Sequence, residues 1–138
     1  RALYELGGKD ESRLAQSIDI FADALSLSGI STSVRNEILF RKAKSHEILG
    51  ENEQTLFCLH EVMKGRSNPQ GKDNPQEFKW YYRAGFEAIR IKEATGNQQG
   101  IIAAIAIADR LARTPGPRAD EARKTGQRLR LEHFIWQK

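Results

Sequence analysis

The sequence predicts an all-α protein, a solenoid of antiparallel helical hairpins. Three observations carry that expectation. Apolar residues recur at helical spacing in six segments, and no segment alternates convincingly with period two. Glycine, proline or a capping residue punctuates the ends of these segments. A pattern also returns after 46 residues: Phe40, Lys44, Glu47 and Gly50 are echoed by Phe86, Arg90, Glu93 and Gly96. In each copy a helical stretch ends at the glycine and a second one follows at once, which is how stacked hairpins read. Such arrays usually work as surfaces for partners rather than as catalysts.

In chain order, residues 1–7 read as the last turns of a helix stopped by Gly7 and Gly8. Leu14, Ile18, Phe21 and Leu25 then mark one face of an amphipathic helix from about Asp10 to Leu27, which Ser28 and Gly29 end. Ser31, Thr32 and Ser33 offer N-cap hydroxyls to a helix over about Val34–Leu49, with Ile38, Leu39, Ala43, His46 and Leu49 on related faces. Gly50 stops it because glycine adopts left-handed backbone cheaply. Asn52 is placed to cap the next helix, whose apolar stripe is Leu56, Leu59 and Met63.

From Gly65 to Gln76 the composition is that of a loop. Asn74 as N-cap, Pro75 at the first helical position and Glu77 closing a capping box then start a helix that runs to Thr95 and stops at Gly96. Trp80, Tyr81, Ala84, Ala88, Ile89 and Ile91 give it a wide apolar surface. Asn97 caps the following helix. Its run Ile101 to Ala108, continued by Leu111 and Ala112, is apolar all round and predicts burial between neighbours. Thr114-Pro115-Gly116-Pro117 breaks it, and a last helix spans about Pro117 to Trp136. Asp120 and Lys124 stand at i,i+4 on it, a spacing suited to an ion pair.

The bulk numbers bound the function. The 138 residues suit one domain, with a net charge of +4 and 29% charged residues. The isoelectric point is about 9.4 and the mean hydropathy −0.59. No apolar run approaches the roughly 20 residues a membrane helix needs. The basic excess is mild and spread along the chain, so nucleic-acid binding is the weaker reading. The chain begins with Arg1, and its first residues read as the tail of an element. We therefore expect it to be the C-terminal part of a longer protein.

Sites for chemistry are sparse. His46-Glu47 and His60-Glu61 each begin like a zinc-protease helix, but Gly50 and Lys64 stand where the second histidine belongs. No metal or cofactor is expected. Cys58, the only cysteine, lies in an apolar stretch and reads as a small buried hydrophobe, a poor nucleophile. No enzymatic activity is expected. The cluster Trp80-Tyr81-Tyr82 reads as packing against the preceding hairpin.

These residues resemble the tetratricopeptide repeat, a helix-turn-helix unit of about 34 residues. Leu49-Gly50-Glu51-Asn52-Glu53 matches its turn, followed by Thr55, Leu59 and Val62 in the second helix. Thr95-Gly96-Asn97-Gln98-Gln99 is the later turn, followed by Ile101, Ile105 and Ala108. Ser17, Phe21 and Ala24 fit the same spacing after Leu6-Gly7, once five residues near Gly8 are looped out. The period of 46 is a unit of about 34 plus an inserted loop of about 12. The copies depart from the pattern where Leu39 and Gly85 replace an aromatic, and where Ile89 replaces a small residue.

The resemblance implies a right-handed superhelical solenoid with hairpins at 1–30, 31–67 and 74–114 and a capping helix at 117–136. It implies a concave face lined by Glu37, Phe40, Arg41, Lys44, Arg83, Phe86, Glu87 and Arg90. That face would hold a protein or peptide partner, an acidic one in view of its cations. The competing expectation is that Phe40 and Phe86 belong to the core between repeats, with Lys44 and Arg90 paired to Glu47 and Glu93. The tail, from Arg128 to Phe134, is similar to the closing helix of bacterial envelope-type repeat proteins, such as accessory proteins of outer-membrane assembly and the Tol–Pal system.

Overall fold

The computed structural model describes residues 7–27, 29, 31–65, 75–114 and 116–133. Within them lie six α-helices and no strand: α1 Gly7–Leu25, α2 Thr32–Ile48, α3 Asn52–Gly65, α4 Pro75–Ala94, α5 Gln98–Arg113 and α6 Ala119–His133. None is long and apolar enough to cross a membrane. Each helix packs on its successor, and α2 also packs on α4.

The helix ends follow local chemistry. Ser31 is in extended backbone, and its hydroxyl accepts the Val34 N–H at 3.1 Å to start α2. Asn97 does the same for α5, its side-chain oxygen accepting the Gly100 N–H at 2.6 Å. Gly50 and Gly96 have φ of 79° and 76°. Any side chain there would be strained, so both members of the echo stop their helix for the same reason.

Three expectations about helix ends need correction. Gly7 and Gly8 stand at the start of α1, which begins ahead of the expected Asp10, is continuous to Leu25 and loops out nothing after Gly7. A first helical turn makes few internal bonds, so glycine costs little there. Asn52 does not cap α3. Glu51 precedes it, and its carbonyl accepts both the N–H and the hydroxyl of Thr55. Pro117 lies in a turn before α6, which starts at Ala119. The Asn74 cap and the side chains of Glu77, Phe134 and Trp136 fall outside the described residues.

The core is centred on α3, α4 and α5. Leu59, Val62 and Met63 from α3, Trp80, Tyr81, Tyr82, Ala84, Ala88 and Ile91 from α4, and Ile101, Ala104, Ile105, Ala108 and Leu111 from α5 are all buried. Full burial of a side chain as large as leucine contributes about 1.5–3 kcal/mol. Helix α5 is not buried all round, because Ile102 and Ala106 face outwards. Its Leu111 side chain packs against α4 at Gly85: a Cβ there would lie 2.7 Å from Leu111 Cδ1. An aromatic at that point would have no room.

The tyrosines of α4 are tied to the end of α5. The Tyr82 hydroxyl donates to the Thr114 carbonyl at 2.8 Å, and the Tyr81 hydroxyl lies 3.1 Å from Thr114 Oγ1. The aromatic cluster is therefore packing with its polar tips satisfied. At the other end of the chain, α1 turns Leu14, Ile18, Phe21 and Leu25 into one half-buried stripe. None of its described side chains is fully buried.

Candidate binding face

Helices α2 and α4 bring the echoed positions together. Lys44 Nζ lies 3.4 Å from Glu47 Oε1 on its own helix and 3.1 Å from Glu87 Oε1 on α4. Arg90 reaches back from α4 to Glu47 Oε2 at 2.5 Å and bonds Glu87 Oε1 at 2.6 Å. Two cations and two carboxylates thus alternate in a closed ring across the two helices. Glu37 and Arg41 form a separate i,i+4 pair at 2.9 Å.

The ring shifts its own titration. Partial burial pushes the Glu87 carboxyl up, but hydrogen bonds from Arg90 and Lys44 outweigh this and hold it below the ordinary 4.5. Hydrogen bonds to Glu87 and then Glu47 push the Arg90 guanidinium further up. Half-exposed pairs of this kind contribute only about 0.2–1 kcal/mol each. Their larger effect is on register, because each carboxylate has two cations to satisfy and one position that satisfies both.

The expected pairing of Arg90 with Glu93 does not occur. Arg90 is taken by Glu47 and Glu87, and Glu93 turns to α6, where Arg128 forks onto both of its oxygens at 3.2 Å. That fork holds the Glu93 carboxyl below its usual value. Glu47 and Glu93, a full period apart, therefore do the same work. Each holds an arginine on a helix further along the chain. Arg128 was not visible as a partner because α6 follows α4 at a different interval from that between α2 and α4. On α6 itself the expected Asp120–Lys124 pair gives way to Asp120–Arg123.

The two echoed aromatics are half-buried against the core. Phe40 packs on Trp80, with ring centroids 5.4 Å apart, and Lys44 Nζ lies 5.9 Å from the centroid of the Phe40 ring. Phe86 lies under Arg118, whose guanidinium carbon is 4.3 Å from the ring centroid. Arg118 is fixed in turn by Glu121 at 2.8 Å. Arg83 does not join the ring of charges. It lies over Trp80 at 5.1 Å, as does Lys79. Trp80, Lys79 and Arg118 are thus members of this face that the repeat spacing did not pick out.

Elsewhere the chemistry is modest. Cys58 is buried, and burial pushes its thiol up, away from the reactive thiolate. It lines a cavity of about 320 Å³ with Lys42, His46, Glu53, Gln54 and Phe57. His46, itself buried, bonds Glu51 through Nδ1 at 2.7 Å. Glu93, Glu132 and His133 lie close enough to share a cation. Arg128 already supplies one, since it bonds both glutamates.

Comparison with family models, with curated proteins and with solved structures finds no match to this chain.

Proposed function

We propose that this chain is a tetratricopeptide-like helical-repeat domain that acts as a scaffold or adaptor. It binds a protein or peptide partner on the α2–α4 face and performs no catalysis of its own. In this reading α2–α3 and α4–α5 are successive hairpins, and α6 covers the end of the stack. Glu37, Phe40, Arg41, Lys44, Arg83, Phe86, Glu87 and Arg90 line the concave face.

The observation that carries the reading is the paired use of Glu47 and Glu93. The two glutamates stand one period apart, and each holds an arginine on a later helix, Glu47 with Arg90 and Glu93 with Arg128, although the arginines themselves are not one period apart. A recurring position tied each time to a later helix fits a stack of like units. The additional packing of α2 on α4 also fits, because first helices of adjacent hairpins meet in such a stack.

Site-specific photo-crosslinking tests this function. A benzoylphenylalanine replaces Glu37 or Arg41 on α2, or Phe57 or Ile102, which are exposed on α3 and α5. The expected result is a protein adduct in host cells from the α2 positions and none from the other two. Adducts from Phe57 and Ile102 alone, or adducts that nuclease treatment removes, would overturn the reading.

A further inference from the structure

Most cations of the α2–α4 face are already answered. Arg41 has Glu37, Lys44 and Arg90 share Glu47 and Glu87, and Arg118 has Glu121. Lys79 and Arg83 are different. Both are exposed on α4, and neither meets a carboxylate among the described residues. Glu87, one turn beyond Arg83, is occupied by Lys44 and Arg90.

Lys79 and Arg83 also stand at i,i+4, where two like charges on one helix repel and cost stability. Both lie 5.1 Å from the centroid of the Trp80 ring. Trp80 is the only ring among the described residues that carries two cations; Phe40, Tyr81 and Phe86 each carry one. The ring's negative face offsets part of the repulsion and fixes where both charges point. The ring itself is buried and braced by Phe40. Among the described residues, two charges without a carboxylate partner are thus held together on a rigid support, beside a ring of charges that is internally balanced.

We infer that Lys79 and Arg83, supported by Trp80, form the anion-recognising part of this face, and that they take a peptide segment carrying adjacent Asp or Glu side chains. This rests on the partner-binding reading above and changes where its specificity resides. Lys44 and Arg90 hold α2 against α4. Lys79 and Arg83 meet the partner, because they lose no ion pair among the described residues when they do so. A carboxylate bound by each relieves the repulsion and adds charge-assisted hydrogen bonds.

The test is a fluorescence-anisotropy titration of the chain with labelled hexa-aspartate, hexa-asparagine and an oligothymidine strand. Wild type should bind hexa-aspartate and not hexa-asparagine. Lys79→Gln combined with Arg83→Gln should weaken that binding by about tenfold or more, the scale of one lost charge-assisted contact. Lys124→Gln, an exposed change on α6, should leave it unaltered. Both Gln changes leave every ion pair described above intact and remove the repulsion, so the thermal midpoint should be kept or slightly raised.

Hexa-aspartate binding that the double variant leaves unchanged would overturn this assignment while leaving the partner-binding reading in place. So would tighter binding of the oligothymidine strand than of the peptide. No binding of hexa-aspartate at low salt would overturn the assignment as well, and crosslinks from Glu37 or Arg41 would then show that the broader reading survives it.

Discussion

The junction between α2 and α4 and the junction between α4 and α6 use the same glutamate position in different company. At the first, Glu47 shares a four-membered ring with Lys44, Glu87 and Arg90. At the second, Glu93 faces Arg128 alone, and Arg128 divides its donors between Glu93 and Glu132. The difference teaches where the chain stores redundancy. Losing one bond of the ring leaves every charge with a partner. Losing Glu93 removes the only ion pair described between α4 and α6.

A lesion in packing sets the scale for breaking either junction. Gly85→Val drives a side chain into Leu111 and should cost about 1–3 kcal/mol, read as a lower urea midpoint with an unchanged slope. Charge loss should be smaller and unequal. In double-mutant cycles, Glu93/Arg128 should show a coupling of about 0.5–1 kcal/mol, and Glu47/Arg90 about half of that or less, because Glu87 still holds Arg90. Equal couplings would erase the distinction drawn between the junctions.

The pH dependence should be the mildest effect. The folded-state pKa values of Glu87, Glu93 and Glu121 lie below the ordinary 4.5. Groups of this kind add stability above their unfolded pKa and lose it as pH falls through the lowered value. Thermal midpoints should therefore be flat above about pH 5 and fall below it. In Glu93→Gln the fall should be shallower, since that carboxylate no longer contributes. A midpoint that rises on acidification would contradict the ion-pair geometry at both junctions.

Much of this was legible in the residues. The six helices, the left-handed glycines at 50 and 96, the caps at Ser31 and Asn97 and the buried faces of α3 and α4 follow from spacing and cap chemistry. The pairing of charges did not. Arg90 has Glu87 and Glu93 at equal local distance along its helix, and only the approach of α2 decides between them. Arg128 lies after a break whose geometry no spacing encodes. Lys79 and Arg83 had a readable signal, two like charges a turn apart around a tryptophan. The apolar run of Trp80 and its tyrosine neighbours drew the reading towards packing instead. Gly7 and Gly8 misled about where α1 starts for a simpler reason: a glycine pair reads as a break, yet a first helical turn accepts it.

The hydroxyls of Tyr81 and Tyr82 have a consequence well away from their own contacts. They grip Thr114, where the chain leaves α5 for the turn into α6. Arg128 stands about 14 Å along α6 from its first residue, at about 1.5 Å per residue. A tilt of about ten degrees would carry it some 2 Å sideways, more than a hydrogen bond tolerates. Two phenols thus help to set the angle of a helix that also packs along α5, and with it the aim of Arg128 at Glu93.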